Sequence, residues 1–200
     1  MAREAGDESF LAWFMQDTHW SRTGVPLAAG LLLLAPLVRR GVTRSTLLAY
    51  LQLPVYMLHQ YEEHGHGAFK RDVNALVPPT VGHLTDGAIF WINILGVWGV
   101  DGLATALAAT SRPGAGLLAP YLAVANAAIH VGVALKQRRY NPGLGTALAL
   151  FLPFGAYSIR AIGRDTAATP RAHLRALGLA LGLHGIAVAL ILAGRNPTRA

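Results

Sequence analysis

One stretch of this chain concentrates the groups able to do chemistry: His59-Gln60-Tyr61-Glu62-Glu63-His64-Gly65-His66. At about 100° per residue on a helix, His59, Glu62, Glu63 and His66 fall within one arc about 100° wide; Gln52 and Tyr56 extend the same stripe and His64 points away. Two carboxylates held side by side repel each other, and burial raises the cost of charging either one. A cation between them removes both problems. His followed by Glu three positions later is, in reverse order, the Glu-x-x-His spacing by which helical bundles hold carboxylate-bridged metals. The chain has no cysteine, so a metal here must be held by nitrogen and oxygen, which suits iron, manganese or zinc rather than copper(I).

The elements that must position these groups are apolar helices. Of 200 residues, 53% are hydrophobic and 14% charged, and the mean hydropathy is +0.39. Such a composition fits neither a disordered chain nor an ordinary soluble domain. Apolar runs at about 24–38, 45–66, 86–110, 116–135, 144–162 and 174–193 are long enough to cross ~30 Å of hydrocarbon. Thr85-Asp86 marks a helix start, and Ser111-Arg112-Pro113-Gly114, Tyr140-Asn141-Pro142-Gly143 and Thr169-Pro170 mark turns. The N-terminal stretch combines Glu4, Asp7, Glu8 and Asp17 with an apolar Phe10-to-Met15 cluster. It has no basic leader and reads as a helix lying on the membrane boundary. The expected architecture is an all-α polytopic transmembrane bundle of about six spans. Residues 1–23 would form the interfacial segment, and 24–194 the transmembrane domain that carries the site.

Alternating spans put the end of the second, fourth and sixth and the start of the third and fifth on one side. At ~1.5 Å per residue, His59, Asn93 and His130 then lie roughly 10 Å inside that face, with His184 slightly deeper. Ionisable groups in a span cost ~3 kcal/mol each and are functional candidates by default. The expected metal ligands are His59, Glu62, Glu63 and His130, then His66 and His184. Asn93, Asn126 and Tyr140 would orient ligands or substrate. Asp101 lies at the opposite end of its span from the cluster and reads as a packing or paired group. Trp91 and Trp98 read as packing or lipid-facing residues, and Lys136-Gln137-Arg138-Arg139 as an interfacial anchor.

Leu58-His59-Gln60-Tyr61-Glu62-Glu63-His64, followed by Phe69, Asn74, Thr85-Asp86 and Phe90-Trp91-Ile92-Asn93, resembles the small integral-membrane protein family named for its HXXEE motif. Asn126, His130 and Tyr140-Asn141-Pro142-Gly143 resemble the second block of that family, so the likeness covers about residues 51–148. The family has no assigned function, and the resemblance implies site residues more than chemistry.

Several functions suit these residues. The first is a metal-dependent membrane enzyme acting on a small or lipid-like, amphipathic substrate. It leans to an oxygen-activating non-haem iron oxidoreductase, because two adjacent carboxylates plus histidine exceed what one catalytic zinc needs, and one or two ions fit. A zinc-type hydrolase is a second form of it. A metal-free Glu62/Glu63 acid–base pair catalysing a rearrangement or cyclisation is a third. A metal or proton transporter would need a path to the opposite face, where only Asp101 offers a polar group. A structural subunit would tolerate loss of both glutamates. The formal charge is +7, but the basic residues fall between apolar runs as interfacial anchors do, so the expected partner is membrane lipid rather than nucleic acid. They divide almost evenly between the two sides, so the positive-inside rule gives no bias.

Overall fold

The computed structural model describes residues 9–78, 80, 82–110 and 112–193. Arg3, Glu4, Asp7, Glu8, Ser111, Arg195 and Arg199 lie outside these. The described residues form eight helices in chain order: α1 (Phe10–Phe14), α2 (Asp17–Gly41), α3 (Arg44–His64), α4 (Ala68–Leu76), α5 (Asp86–Thr110), α6 (Pro113–Gln137), α7 (Leu144–Asp165) and α8 (Pro170–Ala193). The architecture is an all-α bundle. Local chemistry sets many of the ends. The side chains of Thr43 and Thr85 cap α3 and α5 by accepting from Thr46 N and Ala88 N, and Thr169 accepts from Ala172 N at the start of α8. Gly67, at φ 64°, separates α3 from α4, and Gly143, at φ 94°, precedes α7.

α3 is the central helix and packs against α2, α4, α5, α6 and α7, while α8 rests mainly on α6. The core between them uses small residues to bring helices close: Ala123, Ala125, Ala127, Ala147 and Ala180 surround Tyr56, Leu122 and Phe151. Five helices, α2, α5, α6, α7 and α8, are long and apolar enough to cross a membrane. α3 is the sixth long helix; its apolar content is diluted by the very residues that make the site. α8 has the highest hydropathy of the five, 2.3, yet only 11% of that window is buried, the reverse of helix packing in a water-soluble core.

Two departures from sequence expectation bear on the site. The first long helix begins at Asp17 rather than near Gly24. Asp17, Trp20 and Ser21 are buried, Trp20 against Leu84, Ile89 and Phe90, so the start of α2 packs into the bundle while α1 leaves Phe10, Leu11 and Trp13 exposed. The polarity of Asp17 is met by a tertiary partner, which hydropathy cannot register. The second departure is a pair of π-helical turns, Ile94–Gly99 within α5 and Ala147–Phe151 within α7. Such turns re-aim side chains. The first carries Trp98 to the side chain of Gln60, and the second carries Phe151 to the ring of His59.

Candidate metal centre

His59 and Glu63 stand one turn apart on α3, and His130 approaches them from α6. Glu63 Oε2 lies 3.5 Å from His59 Nε2, and Glu63 Oε1 lies 3.5 Å from His130 Nε2. One ligand atom from each of the three residues falls within 4.8 Å of the others, and all three residues are buried. Phe151 closes the far side of the His59 ring at 4.3 Å.

The outer nitrogen of each imidazole is held. Asn141 Nδ2 donates to the His130 carbonyl at 2.9 Å, which turns Asn141 Oδ1 toward His130 Nδ1 at 2.7 Å. His130 Nδ1 must therefore be the donor, and a neutral ring leaves its Nε2 lone pair facing Glu63. His59 Nδ1 lies 2.8 Å from Thr146 Oγ1, while His59 Nε2 is buried without a hydrogen-bond partner among the described residues. Gly143 lies between the two rings. A Cβ there would sit 2.6 Å from His130 Cε1 and 2.9 Å from His59 Cε1, so a bare backbone is needed for the imidazoles to converge.

These residues fit a metal ion. Two imidazoles with the remote nitrogen hydrogen-bonded, plus one carboxylate, are the usual makings of a catalytic metal site. Two ligand atoms at 2.0–2.2 Å from a tetrahedral ion stand ~3.4 Å apart, close to the two 3.5 Å separations here. As a direct N–H···O hydrogen bond, 3.5 Å is too long.

The other expected site residues are placed as follows. Glu62 is outside the His59–Glu63–His130 group. Its carboxylate accepts from Gly145 N at 2.9 Å, Thr146 N at 2.6 Å, the Thr146 hydroxyl and the Tyr140 hydroxyl, so its oxygens are taken by the turn that opens α7. Tyr140 acts there, on Glu62. His66 is exposed and rests against Tyr61, because α3 ends at His64 and the chain turns away through Gly65. His184 is also apart from the group, its Nδ1 bonded to Ala180 O at 2.8 Å within α8. Asn93 accepts from Gln60 Nε2 at 2.8 Å, and Gln60 in turn accepts from Trp98 Nε1 at 2.6 Å, so Trp98 has a polar role beyond packing. Asn126 stands one helical turn before His130, with its Oδ1 unpartnered among the described residues.

His64 does not point away. It is buried with Nε2 at 3.3 Å from Glu63 Oε2 and Nδ1 at 2.9 Å from Asp17 Oδ1, an acid at each ring nitrogen, which suits an imidazolium. Asp17, Asn141, Gly143 and Thr146 were not among the expected site residues. Asn141 and Gly143 had a signal in the Tyr140-Asn141-Pro142-Gly143 turn. Asp17 and Thr146 had none, since only the tertiary packing of α2 and α7 brings them to α3.

A cavity of about 380 Å³ runs between α4, α5, α6 and α8. Glu63, His64, His130 and Asn141 line one part of it, His184, Asn93 and Asn126 contribute further polar groups, and most of the remaining wall is aliphatic. This is the size and character of a small-molecule site. No curated protein and no solved structure matches the chain. A family model described as "Protein of unknown function with HXXEE motif" matches residues 50–158, a span that contains His59, Glu62, Glu63, His130 and the whole Tyr140-to-Thr146 turn. The chain therefore belongs to the HXXEE-motif family of proteins of unknown function.

Proposed function

We propose that this chain is a multi-pass integral-membrane enzyme in which His59, Glu63 and His130 hold one transition-metal ion beside a small or lipid-like substrate. Its five long apolar helices, with α8 the most apolar and hardly buried, support the membrane placement. The observation that carries the metal reading is the convergence of His59 Nε2 and His130 Nε2 on Glu63 at 3.5 Å, each ring fixed from behind. With Glu62 engaged by the turn, one ion fits better than a carboxylate-bridged pair. Two imidazoles and one carboxylate suit iron(II) first, then zinc or manganese. Iron would supply redox chemistry toward oxygen, and zinc would supply Lewis acidity.

The protein's own residues would do the rest. The aliphatic cavity receives the apolar body of the substrate and excludes water from the reacting atoms. His64, braced by Asp17, holds Glu63 in place, and Asn93 and Asn126 offer polar contacts along the cavity wall.

A second reading uses the same acid without a metal. Glu63 lines the cavity and has three imidazoles, His59, His64 and His130, within 3.5 Å, so it can exchange a proton with the substrate in a rearrangement or cyclisation. Elemental analysis of purified protein decides between them, with wild type measured against His59→Ala and Glu63→Gln. About one equivalent of iron, zinc or manganese, lost in both variants, supports the metal centre. Folded wild-type protein that turns over without metal selects the acid–base reading.

A further inference from the structure

We propose that Glu62, the first of the paired glutamates, is the positioning residue of the centre: acting through Thr146 and the 140–146 turn, it fixes which nitrogen of each histidine carries the proton. The role rests on His59 and His130 serving through their Nε2 atoms, as in the function proposed above. Every partner of the Glu62 carboxylate is a donor: two backbone N–H groups and the hydroxyls of Tyr140 and Thr146. A threonine hydroxyl has one proton, and here it goes to Glu62 Oε2. Thr146 Oγ1 can then only accept from His59, 2.8 Å away, so His59 carries its proton on Nδ1 and turns its Nε2 lone pair toward Glu63. The same carboxylate grips Tyr140 and Gly145 on either side of Asn141 and Gly143. It thereby seats the residue that orients His130 and the glycine on which both rings close.

The relay starts at the Glu62 carboxylate, and Glu62→Ala removes the acceptor of the Thr146 proton. The hydroxyl is then free to donate to His59 Nδ1, so the Nδ1–H preference is lost and Nε2 is no longer held as the ligand nitrogen. Thr146→Ser keeps the hydroxyl, and Thr146→Val removes it.

The test is ¹⁵N NMR of the full-length, metal-free protein labelled at histidine nitrogens, with the His59 signals assigned by their loss in His59→Asn. The expected result is a His59 Nδ1–H form in wild type and Thr146→Ser, and loss of that preference in Glu62→Ala. A wild-type His59 protonated on Nε2, or a Glu62→Ala tautomer identical to wild type, overturns the proposal. If Glu62→Ala does not fold, Thr146→Val serves in its place and must lose the Nδ1–H preference that Thr146→Ser retains. Cobalt(II) titration followed by visible spectroscopy adds a second readout. Glu62→Ala should keep one binding site with affinity 10- to 100-fold weaker, and unchanged affinity would count against Glu62. A wild type that binds no cobalt refutes the metal centre instead, and the tautomer measurement then judges Glu62 alone.

Discussion

Replacing Gly143 by alanine tests whether the two imidazoles close on a bare backbone. Gly143 has φ 94° and ψ −15°, a conformation that costs an L-residue roughly 1–2 kcal/mol. That alone should lower the melting temperature by about 2–8 °C in a chain of this length. The added Cβ would also stand 2.6 Å from His130 Cε1 and 2.9 Å from His59 Cε1. Restoring an ordinary contact near 3.4 Å moves the His130 ring by about 0.8 Å, more than the ~0.5 Å within which a metal-binding constellation must be held. The ring cannot move freely, because Asn141 holds it at 2.7 Å. Metal affinity should therefore fall by at least tenfold, beyond what the lost stability explains. The assay pairs thermal melting with cobalt or zinc titration. Gly132→Ala on α6 is the control, since its Cβ meets nothing within 4 Å and alanine is the better helix former. A Gly143→Ala protein with wild-type melting temperature and metal affinity would refute the convergence described here.

Other outcomes follow from the same geometry. Asn141→Leu leaves the His130 carbonyl and Nδ1 without their partner, and should cost about 1–3 kcal/mol in chemical denaturation along with metal affinity. His66→Ala should leave metal content at the wild-type level, and His184→Ala should alter substrate binding in the cavity while keeping the metal; loss of metal in either would restore that histidine as a ligand. Asp101 is fully buried with neither oxygen hydrogen-bonded among the described residues. Asp101→Asn should keep metal and turnover, whereas a transporter with a path across the bundle would lose its flux. Burial and the neighbouring Glu62 carboxylate push the Tyr140 hydroxyl up to about 12. A pKa raised on folding favours the folded state in full below the unfolded value near ~10. That contribution is lost as pH rises through about 12. Tyr140→Phe should abolish this alkaline loss in melts from pH 9 to 12.

Much of the architecture was legible because its signals are local. Thr85, the Tyr140-Asn141-Pro142-Gly143 turn and Thr169-Pro170 sit at observed helix boundaries, since capping and turn formation depend on residues a few positions apart. His59 and Glu63 share a face of α3 by helical period alone, and depth along the spans placed His130 level with them. Period could not separate Glu62 from Glu63. Both lie in the same arc, and which one meets His130 depends on the approach of α6 and α7, with the N–H groups of Gly145 and Thr146 claiming Glu62. The same limit explains His64, whose direction on an isolated helix ignores the Asp17 carboxylate that α2 delivers to it.

The sequence by itself determined an all-helical, apolar, cysteine-free chain with one helix rich in histidine and acid, because composition, period and turn chemistry are written residue by residue. Only the tertiary structure decided that Glu63 faces the histidines while Glu62 secures the turn behind them. Glu62 goes to the N–H donors that the start of α7 brings within about 3 Å and Glu63 faces the imidazole that α6 delivers, and those partners lie more than 60 residues away along the chain.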